Sequence, residues 1–196
     1  GMEAGPLTPM RSVAAPDLII VPGANHATPA EIDAWLAQAD TRRACAWLAT
    51  AAGAEVAASC AGTFVLGAAG LLRGRLATTS WWLAPHFRER FPDVELDMDR
   101  MVVADGPVTT AGAALAQADL MLALVARHGA AGLAQACARY LMLDRRMSQS
   151  RYAIASHLAQ QSPVMQRADR WIRQNLSAPI TLEALGAALH MTPRTV

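Results

Sequence analysis

Cys60 is the residue whose setting most suggests chemistry. It stands in Ala58-Ser59-Cys60-Ala61-Gly62, where the short apolar run 55–59 gives way to the helix-forming run 61–69. A strand that turns sharply into a helix exposes the side chain at the turn on the carboxyl edge of a sheet. Small neighbours permit that turn, and the helix N-terminus favours a thiolate. The same residues accommodate Cys60 as a small buried hydrophobe, the common state of a free cysteine. Cys45 and Cys137 lie on apolar helical faces and read as core.

A second chemistry is suggested at the other end. All 17 basic residues are Arg. Residues 1–150 carry 12 Arg against 14 acids, whereas residues 151–196 carry 5 Arg against 2, so the body is weakly acidic and the tail carries +3. A basic tail tolerates nucleic acid where the body does not. In the tail, Met165, Ala168, Ile172 and Leu176 share one side of a helix over 163–176, with Arg167, Arg170 and Arg173 mostly on the other. Thr181 caps a second helix over 182–189, His190-Met191 makes a short turn, and Thr192-Pro193 restarts a third helix. Helix, tight turn and capped helix is the helix-turn-helix arrangement, whose second helix enters the major groove. An ordinary helical hairpin has the same pattern.

The elements that must position Cys60 follow from hydrophobic pattern. Asp17-Leu18-Ile19-Ile20-Val21 does not alternate and ends at Pro22-Gly23, which suits a strand buried on both faces of a parallel sheet. Thr28 and Pro29 open a helix, a second runs to Gly53, residues 55–59 form a strand and residues 61–69 a helix closed by Gly70. Further strands are expected near 76–79, 94–96, 101–103 and 108–110, the last two parted by Asp105-Gly106-Pro107, with helices near 82–90, 113–127 and 133–141. Strand and helix in alternation predict an α/β sheet.

The quoted segments, with Ser59-Cys60-Ala61-Gly62-Thr63-Phe64, Ala77-Thr78-Thr79-Ser80-Trp81 and Asp105-Gly106-Pro107-Val108-Thr109-Thr110-Ala111-Gly112, make residues 17–140 resemble the ThiJ/PfpI superfamily. The implied fold is the flavodoxin-like, class I glutamine-amidotransferase-like three-layer α/β sandwich around a mostly parallel sheet. Ala168-Asp169-Arg170-Trp171-Ile172, the run 182–191 and Thr192-Pro193-Arg194-Thr195-Val196 resemble the beginning of an AraC-type DNA-binding domain, as in the GlxA-like regulators. The implied organisation is a sensory domain over 1–147 lacking the usual opening strand and helix, a linker over 148–162, and a partial, all-α DNA-binding segment over 163–196. By this resemblance Thr192, Arg194 and Thr195 occupy recognition-helix positions.

Ligands of such sheets bind outside the carboxyl edge of the strands. Gly23, Asn25, Cys60, Ala61, Ser80, Thr110, Ala111 and Gly112 are therefore expected to wall a pocket for a small-molecule effector. One departure from the subgroup bears on catalysis: the position after Thr78-Thr79, commonly His, is Ser80, and serine cannot activate a thiol. His86, six residues on, fits a helix face better than a partner for Cys60. The expectation is a non-catalytic, cytoplasmic transcriptional regulator that forms a homodimer and binds DNA as the full-length protein. No cofactor or metal is expected, three scattered cysteines being too few for a four-ligand zinc site. No apolar run reaches the roughly 18 residues of a membrane span. The alternative is a Cys-dependent hydrolase or amidase, or a glyoxalase-like enzyme.

Overall fold

The apolar pattern organises one α/β unit. A computed structural model describes residues 8–13, 15–51, 53–130, 132–144, 146–150, 153, 163–176, 179–192 and 195. The chain divides into two compact units, Gly1–Arg151 and Tyr152–Val196.

In the first unit, β1 (Leu18–Val21) is followed by α1 (Pro29–Ala37) and α2 (Ala39–Thr50), then by β2 (Glu55–Ser59) and α3 (Gly62–Ala68). Next come β3 (Leu76–Ala77), a 3-10 turn over Trp81–Leu83, α4 (Ala84–Arg90), β4 (Glu95–Leu96), β5 (Val102–Asp105), β6 (Val108–Ala111), α5 (Ala116–His128) and α6 (Leu133–Tyr140). The main sheet has the order β1-β2-β6-β5. Its first three strands are parallel, with Ala58 opposite Val21 on one side and Thr110 on the other. β5 runs antiparallel to β6 across the Asp105-Gly106-Pro107 turn, pairing Val103 with Thr110. β3 and β4 form a separate parallel pair.

Alternation along β2 separates two apolar layers. Val56 and Ala58 join Ile32, Leu36, Leu48, Phe64, Leu66 and Phe87 on the face covered by α1 to α4. Ala57 joins Met101, Ala116, Leu120 and Leu124 on the face covered by α5. The result is a three-layer sandwich with a mostly parallel sheet. Phe64 is fully buried and meets Phe87 edge-on at 4.9 Å; truncating such a ring to alanine costs about 3–5 kcal/mol.

Local signals account for the starts of the helices. Thr28 caps α1, its hydroxyl accepting from the Glu31 N–H while the Glu31 carboxylate accepts from the Thr28 N–H at 3.0 Å, a reciprocal capping box. Pro29 occupies the first turn, where no N–H is needed.

The second unit contains α7 (Pro163–Gln174) and α8 (Leu182–Leu189). Ala168, Leu185 and Leu189 form its small core, with Trp171, Ile172 and Met191 packed around them. Thr181 caps α8, accepting from the Ala184 N–H at 3.1 Å. His190 closes α8 in the left-handed conformation while the Met191 N–H returns to the Gly186 carbonyl. Among the described residues no helix is long and apolar enough to cross a membrane.

Candidate functional site

Cys60 sits at the junction of β2 and α3 with φ of +51°, a backbone conformation that costs a non-glycine residue free energy. The surrounding bonds hold it there. The Cys60 N–H donates to the Ala111 carbonyl at 2.9 Å, which ties the turn to the end of β6. Its carbonyl accepts from the Thr63 N–H at 3.2 Å and faces the Thr63 and Thr79 hydroxyls at 2.7 and 3.2 Å. Those two hydroxyls are 2.7 Å from each other, both fully buried.

Close backbone approach explains the small neighbours. A side chain on Gly62 would stand 2.7 Å from the Val21 and Pro22 carbonyls, so the end of β1 crosses directly over the first turn of α3. A Cβ on Gly23 would lie 3.1 Å from the Cys60 Cβ. The loop after β1 therefore passes beside the thiol.

Cys60 as a residue is 7% exposed, and the hydroxyl of the fully buried Ser80 donates to its sulfur at 3.0 Å. Ser80 is held in turn by the Trp81–Leu83 turn, where the Leu83 N–H donates to its carbonyl. Thr110 accepts from the Thr78 N–H at 2.8 Å, fixing the 78–80 segment against β6. Gly23, Cys60, Ala61, Ser80, Thr110, Ala111 and Gly112 are thus gathered where β1, β2 and β6 end. Asn25 is exposed in the loop beyond Gly23.

His86 is engaged elsewhere. Its Nε2 lies 3.0 Å from Asp33 Oδ1, which also accepts from Arg90 at 2.8 Å, and its ring stacks on Phe64. His26, in the loop after Gly23, packs its ring 4.9 Å from that of Trp35. Among the described residues no cluster of His, Cys, Asp or Glu could hold a metal ion. Cys45 is buried on α2, where burial pushes its thiol pKa up, and its thiol donates to the Val65 carbonyl; Cys137 is half-buried on α6.

Several buried polar groups around Cys60 carry no local pattern that singles them out. Thr63 and Thr79 support the Cys60 carbonyl, and Gln117 of α5 accepts from the Ser59 hydroxyl. Gln149 is fully buried, although it falls in the expected linker over 148–162; residues 148–150 are bonded into the first unit. Of the positions expected to face DNA, Thr192 and Thr195 have hydroxyls 2.7 Å apart. Arg194, and most of residues 148–162, lie outside the described residues.

Comparison with known proteins places these features. Residues 11–127 match the DJ-1/PfpI family. The HTH-type transcriptional regulator ArgR of Pseudomonas aeruginosa is 31% identical over 143 residues, covering 68% of this chain and 41% of that protein. The HTH-type transcriptional regulator GlxA of Rhizobium meliloti is 38% identical over 76 residues, 39% of this chain and 23% of that protein. The chain therefore spans at most about two fifths of these relatives. Among solved structures, Drosophila melanogaster DJ-1beta superposes with a TM-score of 0.51 at 19% identity over 65% of this chain and 64% of its own, a likeness of fold. With the family match over most of the first unit and the elbow cysteine at the end of β2, the chain belongs to the DJ-1/PfpI family.

Proposed function

We propose that this chain is part of a transcriptional regulator of the AraC type, in which the DJ-1/PfpI unit binds a small-molecule effector without performing thiol chemistry. The observation that carries the reading is the group above the Cys60 sulfur: a buried serine hydroxyl at 3.0 Å, with His86 turned to Asp33. A cysteine nucleophile needs a base to take its proton, and serine is not one. The naming of its relatives as HTH-type transcriptional regulators supports the same reading.

The effector site is the edge formed by Gly23, Asn25, Cys60, Ala61, Ser80, Thr110, Ala111 and Gly112, and the ligand is small and held by neutral donors and acceptors. In the second unit, α7 and the capped α8 with its tight exit turn fit the first part of a helix-turn-helix, and Thr192, Arg194 and Thr195 are the positions proposed to face DNA. Sequence-specific DNA binding is proposed for the full-length cytoplasmic protein, acting as a homodimer on paired half-sites.

The test has two arms. Full-length protein is titrated against a genomic DNA library at several salt concentrations, and this 196-residue chain is screened against small polar metabolites by thermal shift. Selective DNA binding by the full-length protein, weak salt-sensitive binding by the chain and a ligand-dependent rise in the Tm of the chain support the proposal. Failure of the full-length protein to bind DNA refutes it. The strained turn at Cys60 is shared with nucleophilic elbows and keeps one rival in view, a Cys60-dependent hydrolase or glyoxalase-like enzyme; turnover abolished by Cys60→Ser would establish that rival.

A further inference from the structure

The first unit ends in a short stretch that is stitched to the rim of the Cys60 site. Residues 147–150 run antiparallel to residues 99–101: the Met101 N–H donates to the Met147 carbonyl at 3.0 Å, the Gln149 N–H to the Asp99 carbonyl at 2.9 Å, and Arg100 lies opposite Ser148. Ser148 also donates its hydroxyl to Asp99 at 2.7 Å. Hydrogen bonds from Ser148 and then Ser150 hold the Asp99 carboxyl below the usual carboxylate range. Two residues further on, the chain passes into the second unit.

From this ribbon the Gln149 side chain enters the core and is fully buried. Its Nε2 donates to the Thr78 hydroxyl at 2.9 Å and to the Thr79 carbonyl at 3.1 Å, with the Arg100 carbonyl at 3.4 Å. Its Oε1 has no hydrogen-bond partner among the described residues. The amide lies flat against Gly112, where an added Cβ would come within 2.6 Å of Oε1.

A single residue separates Gln149 from the cysteine. Thr79 offers its carbonyl to Gln149 and its hydroxyl to the Cys60 carbonyl, and the next residue, Ser80, donates to the Cys60 sulfur. Thr78 and Thr79, which lead into Ser80, supply the two shortest acceptors of Gln149, so a ligand that draws the 78–80 segment off the sulfur strips the amide of them. A buried amide stripped of its acceptors is strongly disfavoured relative to one in water. The seated state already leaves one buried oxygen unpaired, so hydration on release compensates more readily than it would for a fully paired side chain.

We propose that Gln149 is a latch: seated, it fastens the connection to the second unit onto the first, and displacement of Ser80 at the Cys60 site releases it. The two arrangements of residues 147–150 are the states that a ligand at the site biases. This rests on the reading of the Cys60 edge as the effector site, and the test below uses a chemical probe so that the two can fail separately.

The experiment measures two rates on the whole 196-residue chain, in a Cys137→Ser background. Iodoacetamide forms an S–C bond with Cys60, releasing iodide and giving the thiol proton to buffer; its rate is followed by mass spectrometry on the peptide carrying Cys60. Hydrogen exchange is followed at residues 99–101 and 147–150, with β2 and β6 as reference. Iodoacetamide reaches the sulfur from the state in which Ser80 has left it, and Gln149→Met removes the bonds of the seated state and so raises that population, which should raise the alkylation rate about tenfold. It should raise exchange at 99–101 and 147–150 while leaving β2 and β6 unchanged. In the chain with Gln149 intact, alkylating Cys60 should raise exchange at 147–150 by a comparable factor. An alkylation rate within about twofold of the parent, with faster exchange at 147–150, would make Gln149 an anchor without coupling and overturn the latch. Faster exchange throughout β2 and β6 would reduce it to a core packing residue. If Gln149→Met fails to fold, the alkylated parent decides: unchanged exchange at 147–150 overturns the proposal. Coupling seen with iodoacetamide while no metabolite shifts Tm leaves the latch standing and removes the effector reading.

Discussion

The Ser80 hydroxyl and the Cys60 sulfur lie 3.0 Å apart, donor to acceptor, with Ser80 fully enclosed. A thiol in this setting has a hydrogen-bond donor where a nucleophilic thiol requires a proton acceptor. Activity of the purified chain on activated amides, esters and reactive 2-oxoaldehydes is therefore expected to equal that of Cys60→Ser. A difference between the two, measured as initial rate at neutral pH, would mean that another base reaches the sulfur.

Gly62 is required by distance. Alanine there would place its methyl 2.7 Å from two backbone carbonyls of the β1 exit, and backbone cannot swing aside as a side-chain tip can. Gly62→Ala should destabilise the unit by about 1–3 kcal/mol, the range for overpacking. The readout is a lower urea midpoint at unchanged m-value.

Cys60 tests the backbone in the opposite direction. With φ at +51°, an L-residue at this turn sits about 1–2 kcal/mol above its right-handed conformation, a penalty glycine does not carry. Cys60→Gly should therefore be more stable than Cys60→Ala by about 1 kcal/mol, although glycine is ordinarily the less stabilising of the two. Equal urea midpoints would show that the turn relaxes when the sulfur is removed.

The capping box of α1 gives a pH dependence. The Ala27 N–H foremost, then the Thr28 N–H and hydroxyl, hold the Glu31 carboxyl below the usual glutamate range. A carboxylate lowered in the folded state contributes stability that is present above its unfolded value, about pH 4.3, and is lost as pH falls through the folded value. The stability difference between the parent and Glu31→Ala should hold constant from pH 7 to about pH 5 and shrink below about pH 4. A difference that grows on acidification would contradict the assignment.

Local pattern made much of this fold legible. The run Glu55-Val56-Ala57-Ala58-Ser59 is β2 residue for residue, because an unbroken small-apolar run suits a strand covered on both faces. Thr28-Pro29 and Thr181 mark helix starts by the chemistry of capping, and both hydroxyls accept the bond that this chemistry calls for. The Asp105-Gly106-Pro107 turn folds β5 back on β6, with Gly106 at φ of +60°. The supports of Cys60 were not legible in the same way. Thr78 and Thr79 appear in sequence as the end of a short strand, yet the strand closes at Ala77 and both threonines turn their hydroxyls into buried bonds. Gln149 stands in a polar stretch, Asp144 to Ser150, and its partner Thr78 is 71 positions away. Periodicity reports neighbours along an element; a polar side chain chosen to satisfy carbonyls from a distant segment has no period.

The fit of the Gln149 amide against Gly112 has a consequence for the evolution of the chain. Neither position has room to change alone: a methyl at 112 strikes the amide, and a shorter residue at 149 leaves the Thr79 carbonyl without its donor and a void beside glycine. Descendants that abandon one should have abandoned the other, so positions 112 and 149 should covary as a pair. That pair joins the end of β6 to the last residues of the first unit, and the covariation should persist even where the sequence that follows Arg151 diverges freely.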